Sequence, residues 1–358
     1  MTARARKFLI IKMSSIGDVM HALPALHTLR MNHPGARIAW VIEERFRDLL
    51  YNNPDVDEVI VTRTRHWRKH WTLKSLEEIL GVIRKIRGGR FDTVFDFHGL
   101  LKSGLIALLS GAPRRIGLHK NNCKEKINVL FTNRKGPYIG KGVHVADICR
   151  SLVLMEGDGP PQETPPPLAV PSEEQVQVES FFQARPELTA RPIIGINPGA
   201  GFESKRWSLS RFARLADRIA DELGFSILLT WGPGEEEKVK SIADQMKQRS
   251  WLAPPTSLLE SIALYRRLAL MVSCDSGPLH LAAAVETPTV SIFGPTDPAR
   301  NGAYGPNHAA VFKVLTCSFC WKKKCPLHTN ECMKQVSVDD VFEAVRKSAS
   351  RYIKTAAP

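Results

Sequence analysis

No stretch of the sequence approaches the roughly 18 uninterrupted apolar residues that a spanning helix needs, so no membrane span is expected. The longest candidate, Gly104 to Ala112, has only the length of a core helix. The start of the chain is basic, but its apolar run, Phe8 to Ile11, is broken by Lys12 and too short for a secretory signal. A cytoplasmic protein is the resulting expectation, and stable disulfides are then not expected among its 7 cysteines. Carboxylates are also in short supply. Against 50 Lys and Arg there are 36 Asp and Glu, a formal charge of +14. Such an imbalance suits an anionic partner: nucleic acid, a membrane surface or a phosphorylated substrate. Charge alone does not choose among them. The Walker spacing of a P-loop is missing from the Gly-rich loops as well.

What is present is a globular composition, 43% hydrophobic and 24% charged, in a chain of 358 residues, long enough for two cores. Strand and helix signals alternate. Phe8 to Met13 reads as a strand, Val19 to Met31 as a helix with Pro24 in its early part, Arg37 to Ile42 as a strand, and Arg45 to Tyr51 as a helix. Val56 to Val61 is a strand, Ser75 to Ile86 an amphipathic helix, and Thr93 to Phe97 a strand leading through His98 and Gly99 into the helix Leu100 to Leu109. Pro and Gly then crowd together from Glu156 onward, as in a linker, and the pattern restarts. The expected organisation is a domain over residues 1–160, a linker over 161–175, a domain over 176–335 and a C-terminal helix over 336–358. Alternation of this kind predicts α/β units, each a doubly wound parallel sheet, facing one another across a cleft. Ligands of such sheets lie beyond the carboxyl ends of the strands.

Chemistry is therefore sought in the loops that follow strands. Ser14, Ser15, Gly17 and Asp18 follow the first strand. A carboxylate there would deprotonate a hydroxyl or, more simply, cap a helix. Gly199, Ala200 and Gly201, followed by Lys205, follow Pro192 to Asn197, and this pairing of close backbone approach with a point charge suits a phosphate. Glu235 and Glu236 follow the strand Phe225 to Trp231, where a carboxylate would hold a ribose or complement a helix N-terminus. Asp275, Ser276 and Gly277 follow the run Leu268 to Val272, and Pro278 opens a short helix with His280 in its first turns. A strand leading into a helix N-terminus is an anion site, or an ordinary βαβ turn with Asp275 as cap. Residues Arg63 to Trp71 interleave cations with aromatics, suiting phosphate, sugar or single-stranded nucleic acid; a solvated basic loop has the same composition. Cys317, Cys320, Cys325 and Cys332, with His328 among them, do not have a standard zinc-ribbon spacing, and a structural metal, a disulfide pair or free thiols all remain open.

Five segments in order carry a resemblance: Lys12 to Pro24, Asp96 to Ser103, Asn197 to Gly201 with Lys205 to Trp207, Asp275 to His280, and Phe293 to Asp297. Together they resemble the family 9 glycosyltransferases, the lipopolysaccharide heptosyltransferases, almost end to end. The resemblance implies a GT-B architecture of two Rossmann-like domains, with the last helix packing back on the first. It implies a donor, ADP-L-glycero-β-D-manno-heptose, and an acceptor, the Kdo-lipid A inner core at the cytoplasmic face of the inner membrane. Asp18 is then the base that activates the acceptor hydroxyl, and Lys205 the cation that steadies the departing ADP. Gly199, Ala200, Gly201, Glu235, Thr256, Asp275, Ser276, Gly277 and His280 would complete the donor site. Ser14, Ser15, Gly17, Arg65, Arg68, Lys69, His98, Lys102 and Lys124 would meet the acceptor's phosphates and carboxylates. No catalytic metal and no nucleic acid are implied. Ser14 to Asp18 and Arg65 to Lys69 look like heptosyltransferase I, whereas Asn197 to Gly201 looks more like heptosyltransferase II. Three competing functions are a transferase with another sugar or acceptor, an epimerase of nucleotide sugars, and a basic nucleic-acid-binding protein.

Overall fold

The computed structural model describes residues 5–157 and 168–353. The chain divides into two compact units, Met1–Ala169 and Val170–Pro358. That division falls within the expected linker, of which residues 161–167 lie outside the described residues. The linker is shorter than expected at its far end, because Ser172–Gln183 is helical, with Glu173 and Glu174 placed favourably in its first turn.

The first unit is a six-stranded sheet of β1 (Lys7–Ile11), β2 (Arg37–Glu43), β3 (Glu58–Thr62), β4 (Thr93–Asp96), β5 (Arg114–Gly117) and β6 (Arg134–Lys135). Its order is β3-β2-β1-β4-β5-β6, with every pair parallel. Phe8, Leu9, Ile10 and Ile11 are all fully buried, as a parallel strand covered on both faces requires. The expected helix Val19 to Met31 is two helices, α1 (Ile16–Met20) and α2 (Leu23–Asn32). Pro24 sits at the start of α2, where its missing N–H costs nothing. The expected helix Arg45 to Tyr51 is a tighter 3-10 helix, Glu44–Leu50. The basic aromatic segment contains a short helix, α3 (Thr64–Lys69), anchored by the buried Trp67. It is followed by α4 (Leu73–Gly89), capped by Thr72, and α5 (Leu101–Leu109) follows β4.

The second unit repeats the plan. Its strands are β7 (Ile193–Asn197), β8 (Ser226–Leu229), β9 (Ser250–Leu252), β10 (Leu270–Cys274), β11 (Thr289–Ile292) and β12 (His308–Val311), in the parallel order β12-β11-β10-β7-β8-β9. Ile194, Ile196, Leu229, Val272 and Ile292 fill its core together with Phe212 and Leu215 of the helix Leu209–Leu223. The helix Val338–Ser348, expected to pack back on the first domain, buries Val341, Phe342 and Val345 in this same core. Ser337 caps it, accepting from Asp340 N at 3.1 Å while Asp340 Oδ2 accepts from Ser337 N at 2.8 Å.

In each sheet the strand order reverses once, between β1 and β4 and between β7 and β10. These are the switch points at which doubly wound sheets bind ligands.

Candidate active site

At the first switch point β1 and β4 lie side by side, Ile11 opposite Asp96, so the loops leaving both strands emerge together. The chain past β1 is pinned: Trp40 Nε1 donates to the Lys12 carbonyl at 2.9 Å and Met13 N donates to His98 Nδ1 at 3.3 Å. The turn then enters α1 with Ser15 at the N-cap. Asp18 Oδ2 accepts from Ser15 N at 3.1 Å and from Ser15 Oγ at 3.2 Å. Asp18 is therefore not itself the cap that its position suggests; Ser15 holds that place, and Asp18, at the third helical residue, accepts from it and faces charges as well. Lys12 Nζ lies 3.3 Å from Oδ1 and Lys124 Nζ 3.7 Å from Oδ2. Burial pushes the Asp18 carboxyl up, but the charges of Lys12 and Lys124, with the hydrogen bond from Ser15 N, outweigh it and hold the group well below the usual range. Asp18 is thus ionised at neutral pH.

Lys12 is a site residue that sequence reasoning misses. It is only 3% exposed, and its ammonium also donates to the Phe97 carbonyl at 2.9 Å. A buried ammonium needs partners, and both are supplied from this loop pair. His98 lies beside it. Burial, reinforced by the charge of Lys12, pushes its pKa down to about 3, so the ring is neutral. Because Nδ1 accepts from Met13 N, the ring proton is on Nε2.

Asp96 is a second functional group not expected from the sequence. Its Oδ1 accepts from His98 N at 2.9 Å and Gly99 N at 3.2 Å, and its Oδ2 from Ser103 Oγ at 2.9 Å and Asn128 Nδ2 at 2.6 Å. This fixes the turn that carries His98. Gly99 has φ +66°, a left-handed backbone that glycine adopts without strain, and a side chain there would press on Leu118. Of the remaining expected residues, Gly17 is buried and Ser14 half-buried in the turn. Lys102 donates to Thr64 Oγ1 at 3.2 Å, linking α5 to α3, on which Arg65, Arg68 and Lys69 reach the surface.

At the second switch point, β7 runs into Asn197. Its Oδ1 accepts from Gly199 N at 3.0 Å, and its Nδ2 donates to the Thr230 carbonyl and Oγ1, both at 3.1 Å. Glu235 Oε2 lies where a side chain on Gly199 would stand, so the glycine makes room for the carboxylate. Glu235 Oε1 accepts from Lys238 Nζ at 2.8 Å. The structure thereby brings Gly199 and Glu235 together. Ala200 packs on the core, Gly201 faces open space, and Thr256 shares a 2.8 Å hydrogen bond with Ser261.

Lys205 and Asp275 form a tight pair, with Nζ 2.6 Å from Oδ2. Thr296 Oγ1 donates to the same oxygen at 2.6 Å, and His280 Nε2 lies 3.7 Å from Oδ1. Asp275 is therefore no helix cap; Ser276 holds that position for the helix Gly277–Ala284. Burial pushes the Asp275 carboxyl up, but the hydrogen bond from His280 and the charge of Lys205 more than reverse this, leaving its pKa lowered. Lys205 also lies 4.8 Å from the Phe202 ring centre, a cation–π contact. Thr296 belongs to a quoted motif but is not expected at the site. Its hydroxyl answers a physical need, since a buried carboxylate paired with a single lysine still has lone pairs to satisfy.

None of the four clustered cysteines is in a disulfide; Cys317 is exposed and Cys320, Cys325 and Cys332 are half-buried. No group of three metal-ligating side chains is found among the described residues. Their loop is tied to the turns that follow β11 and β7: Trp321 N donates to the Pro295 carbonyl at 2.8 Å, and Ser204 Oγ to the Lys322 carbonyl at 2.6 Å.

Residues 79–330 match the sequence profile of glycosyltransferase family 9 (heptosyltransferase). The chain is 31% identical to lipopolysaccharide heptosyltransferase 1 of Pseudomonas aeruginosa over 327 residues, covering 91% of this chain and 89% of that one. It is 28% identical to lipopolysaccharide heptosyltransferase 2 of Escherichia coli, covering 82% and 84%. Its fold is similar to that of the E. coli heptosyltransferase WaaC solved with ADP-2-deoxy-2-fluoro heptose, with a TM-score of 0.74 at 27% identity over 95% of this chain and 99% of that one.

Proposed function

The chain belongs to glycosyltransferase family 9, and we propose that it transfers heptose from ADP-L-glycero-β-D-manno-heptose to the Kdo-lipid A inner core, as heptosyltransferase I. The observation that carries this reading is the ionised Asp18 at the end of β1, held between Lys12 and Lys124. A carboxylate that is charged at neutral pH is in the state that can take a proton, and an acceptor that draws Lys124 away from it raises its basicity.

In this reaction the acceptor hydroxyl oxygen attacks the anomeric carbon while Asp18 takes its proton. The bond from that carbon to the diphosphate oxygen breaks, ADP leaves with the electron pair, and the configuration inverts. We assign the donor to the second unit. Lys205 supplies positive charge to the leaving diphosphate, supported by the N-terminus of the helix Gly277–Ala284. Glu235, beside Gly199, is placed to hold the ribose hydroxyls. Asp275 keeps Lys205 in position between turnovers, and the diphosphate competes with it for the ammonium. We assign the acceptor to the first unit, where Lys124, Lys102, Arg65, Arg68 and Lys69 meet its phosphates and carboxylates. The neutral His98 donates through Nε2 to a ligand oxygen. The enzyme works at the cytoplasmic face of the inner membrane; among the described residues no helix is long and apolar enough to cross it.

Heptosyltransferase II is the second reading, favoured by the Asn197 to Gly201 loop and the 28% identity to such an enzyme. Transfer from ADP-heptose to Kdo-lipid A and to the singly heptosylated acceptor, with Asp18→Ala as control, separates the two. Product on the bare Kdo acceptor alone supports type I, and product only on the heptosylated one supports type II. Product on neither, with donor still bound, overturns the substrate assignment.

A further inference from the structure

The first unit carries leucines where water-facing helices carry polar residues. On α4, Leu73, Leu76 and Leu80 are 82%, 42% and 46% exposed. Their spacing puts them on one face, while Ser75 and Ile86 are buried on the other. The next helix does the same. α5 buries Ser103, Gly104 and Ala107 and turns Leu101, Leu105 and Leu108 outward. The reason lies in Gly104. A Cβ there would overlap Phe131 of the 3-10 helix Lys126–Phe131, so the small face of α5 must face that element and its leucines must face away. The 3-10 helix in turn exposes Ile127 and Leu130. α5 packs against both α4 and the 3-10 helix, so the three apolar edges belong to neighbouring elements. Trp71, at the head of α4, is 74% exposed.

Cations border this surface. Residues 63–87 hold eight Lys and Arg against two Glu. Arg84 and Arg87 continue the leucine face of α4 at helical spacing, Arg68 and Lys69 precede it, and Glu77 is the acid on that side. Lys126 opens the 3-10 helix. Exposed leucines on this scale exceed the scattered apolar residues of an ordinary surface. Apolar side chains with a Trp and a basic margin are the make-up of a surface that settles into the headgroup region of an anionic bilayer.

We propose that α4, α5 and the 3-10 helix Lys126–Phe131 form a docking surface for an anionic phospholipid bilayer. The proposal deepens, and rests on, the reading of the acceptor as a lipid-anchored glycan. Lys102 on α5 and Lys124 just before the 3-10 helix are among the cations assigned to that acceptor, so the lipid-facing elements also border its headgroup site.

The full-length protein is floated with vesicles of phosphatidylethanolamine and phosphatidylglycerol, and with phosphatidylcholine alone. Wild type is compared with the triple variant Leu73→Gln, Leu76→Gln, Leu80→Gln and with the single variant Leu73→Gln, which keeps the test alive if the triple variant does not fold. Wild type is expected on the anionic vesicles and at least tenfold more weakly on the neutral ones. The triple variant should lose at least tenfold and the single variant about threefold, with ADP affinity unchanged. Trp71 emission should shift to the blue with anionic vesicles, a change missing from Trp71→Phe. Equal vesicle binding by wild type and variants overturns the proposal, as does the lack of wild-type binding. A variant that loses self-association but keeps vesicle binding also overturns it and gives the surface to a second copy of the chain. Vesicle binding that responds as expected, with no transfer to any Kdo-containing acceptor, leaves the docking surface standing and removes the acceptor reading.

Discussion

Replacing Lys205 by Met tests whether this lysine serves the fold, the donor or both. Its Nζ stands 2.6 Å from Asp275 Oδ2, with side chains 13% and 5% exposed. Two unit charges at that separation attract by about 6 kcal/mol at an effective dielectric constant near 20. Desolvating both ions takes several kcal/mol back, so the net value of the pair is small. Breaking it is another matter, because Lys205→Met leaves a buried carboxylate without its cation, a loss of about 3–5 kcal/mol. Thr296 and His280 remain on Asp275, so the expected cost is at the low end of that range, about 3 kcal/mol. The double variant Lys205→Met, Asp275→Asn carries neither charge and should recover most of the loss. Urea unfolding followed by tryptophan fluorescence measures the stabilities, and ADP titration measures the donor. If Lys205 also serves the diphosphate, the double variant regains stability but not ADP affinity or transfer. A single-variant loss below about 1 kcal/mol refutes the energetic argument, and wild-type transfer by the double variant refutes the role at the donor. The pH sign follows from the lowered Asp275 pKa. Its contribution is complete above the unfolded carboxyl value and is lost as pH falls through the folded one. Without Lys205 burial is less opposed, the folded value rises, and acid lability begins at a higher pH.

Asp18→Asn should lower transfer by about 10²- to 10⁴-fold while ADP affinity stays within about twofold; steady-state rates near those of wild type remove Asp18 as base. His98, pushed down to about 3, should show constant imidazole carbon shifts in NMR from about pH 5 to 8, and a titration near 6.5 contradicts the buried neutral ring. Since its folded pKa lies below the unfolded one, this histidine adds stability that is full above about pH 6.5 and declines as pH falls toward 3. Gly199→Ala should displace the Glu235 carboxyl and weaken ADP binding about tenfold, near 1.4 kcal/mol, with little change in urea midpoint; unaltered ADP affinity would separate Glu235 from the donor.

The strands that define both sheets are legible in the sequence because they are short apolar runs bounded by Gly, Pro and polar turns. Switch-point loops come with them, so Asp18, Lys205 and Asp275 follow from position and residue type. Lys12 does not, since its only local signal is a cation ending a strand, and its meaning comes from the Phe97 carbonyl after β4 and from the turn that folds Asp18 back onto it. Asp96 and Thr296 escape as functional groups for the same reason: each acts through hydrogen bonds to partners that the fold, not the local spacing, brings near. Strand β5 and the edge strand β6 are hidden because Arg114 and Arg134 begin them and little apolar sequence marks them. The break between α1 and α2 is invisible to periodicity, which continues across it. The C-terminal helix is recognisable as a helix, yet its destination is set by Val341, Phe342 and Val345 meeting the second core.

The duplicated strand order also divides the sources of specificity. Each unit brings its own switch point, built from its own loops, so residues that select one reactant can drift without disturbing the frame that holds the other. The Asn197 to Gly201 loop, which makes the chain look like a type II enzyme, belongs to the unit assigned to the nucleotide sugar. The loops after β1 and β3, where the resemblance is to type I, belong to the unit assigned to the acceptor. The type I and type II signals of one chain then fall on different units, so they need not compete for the same loops.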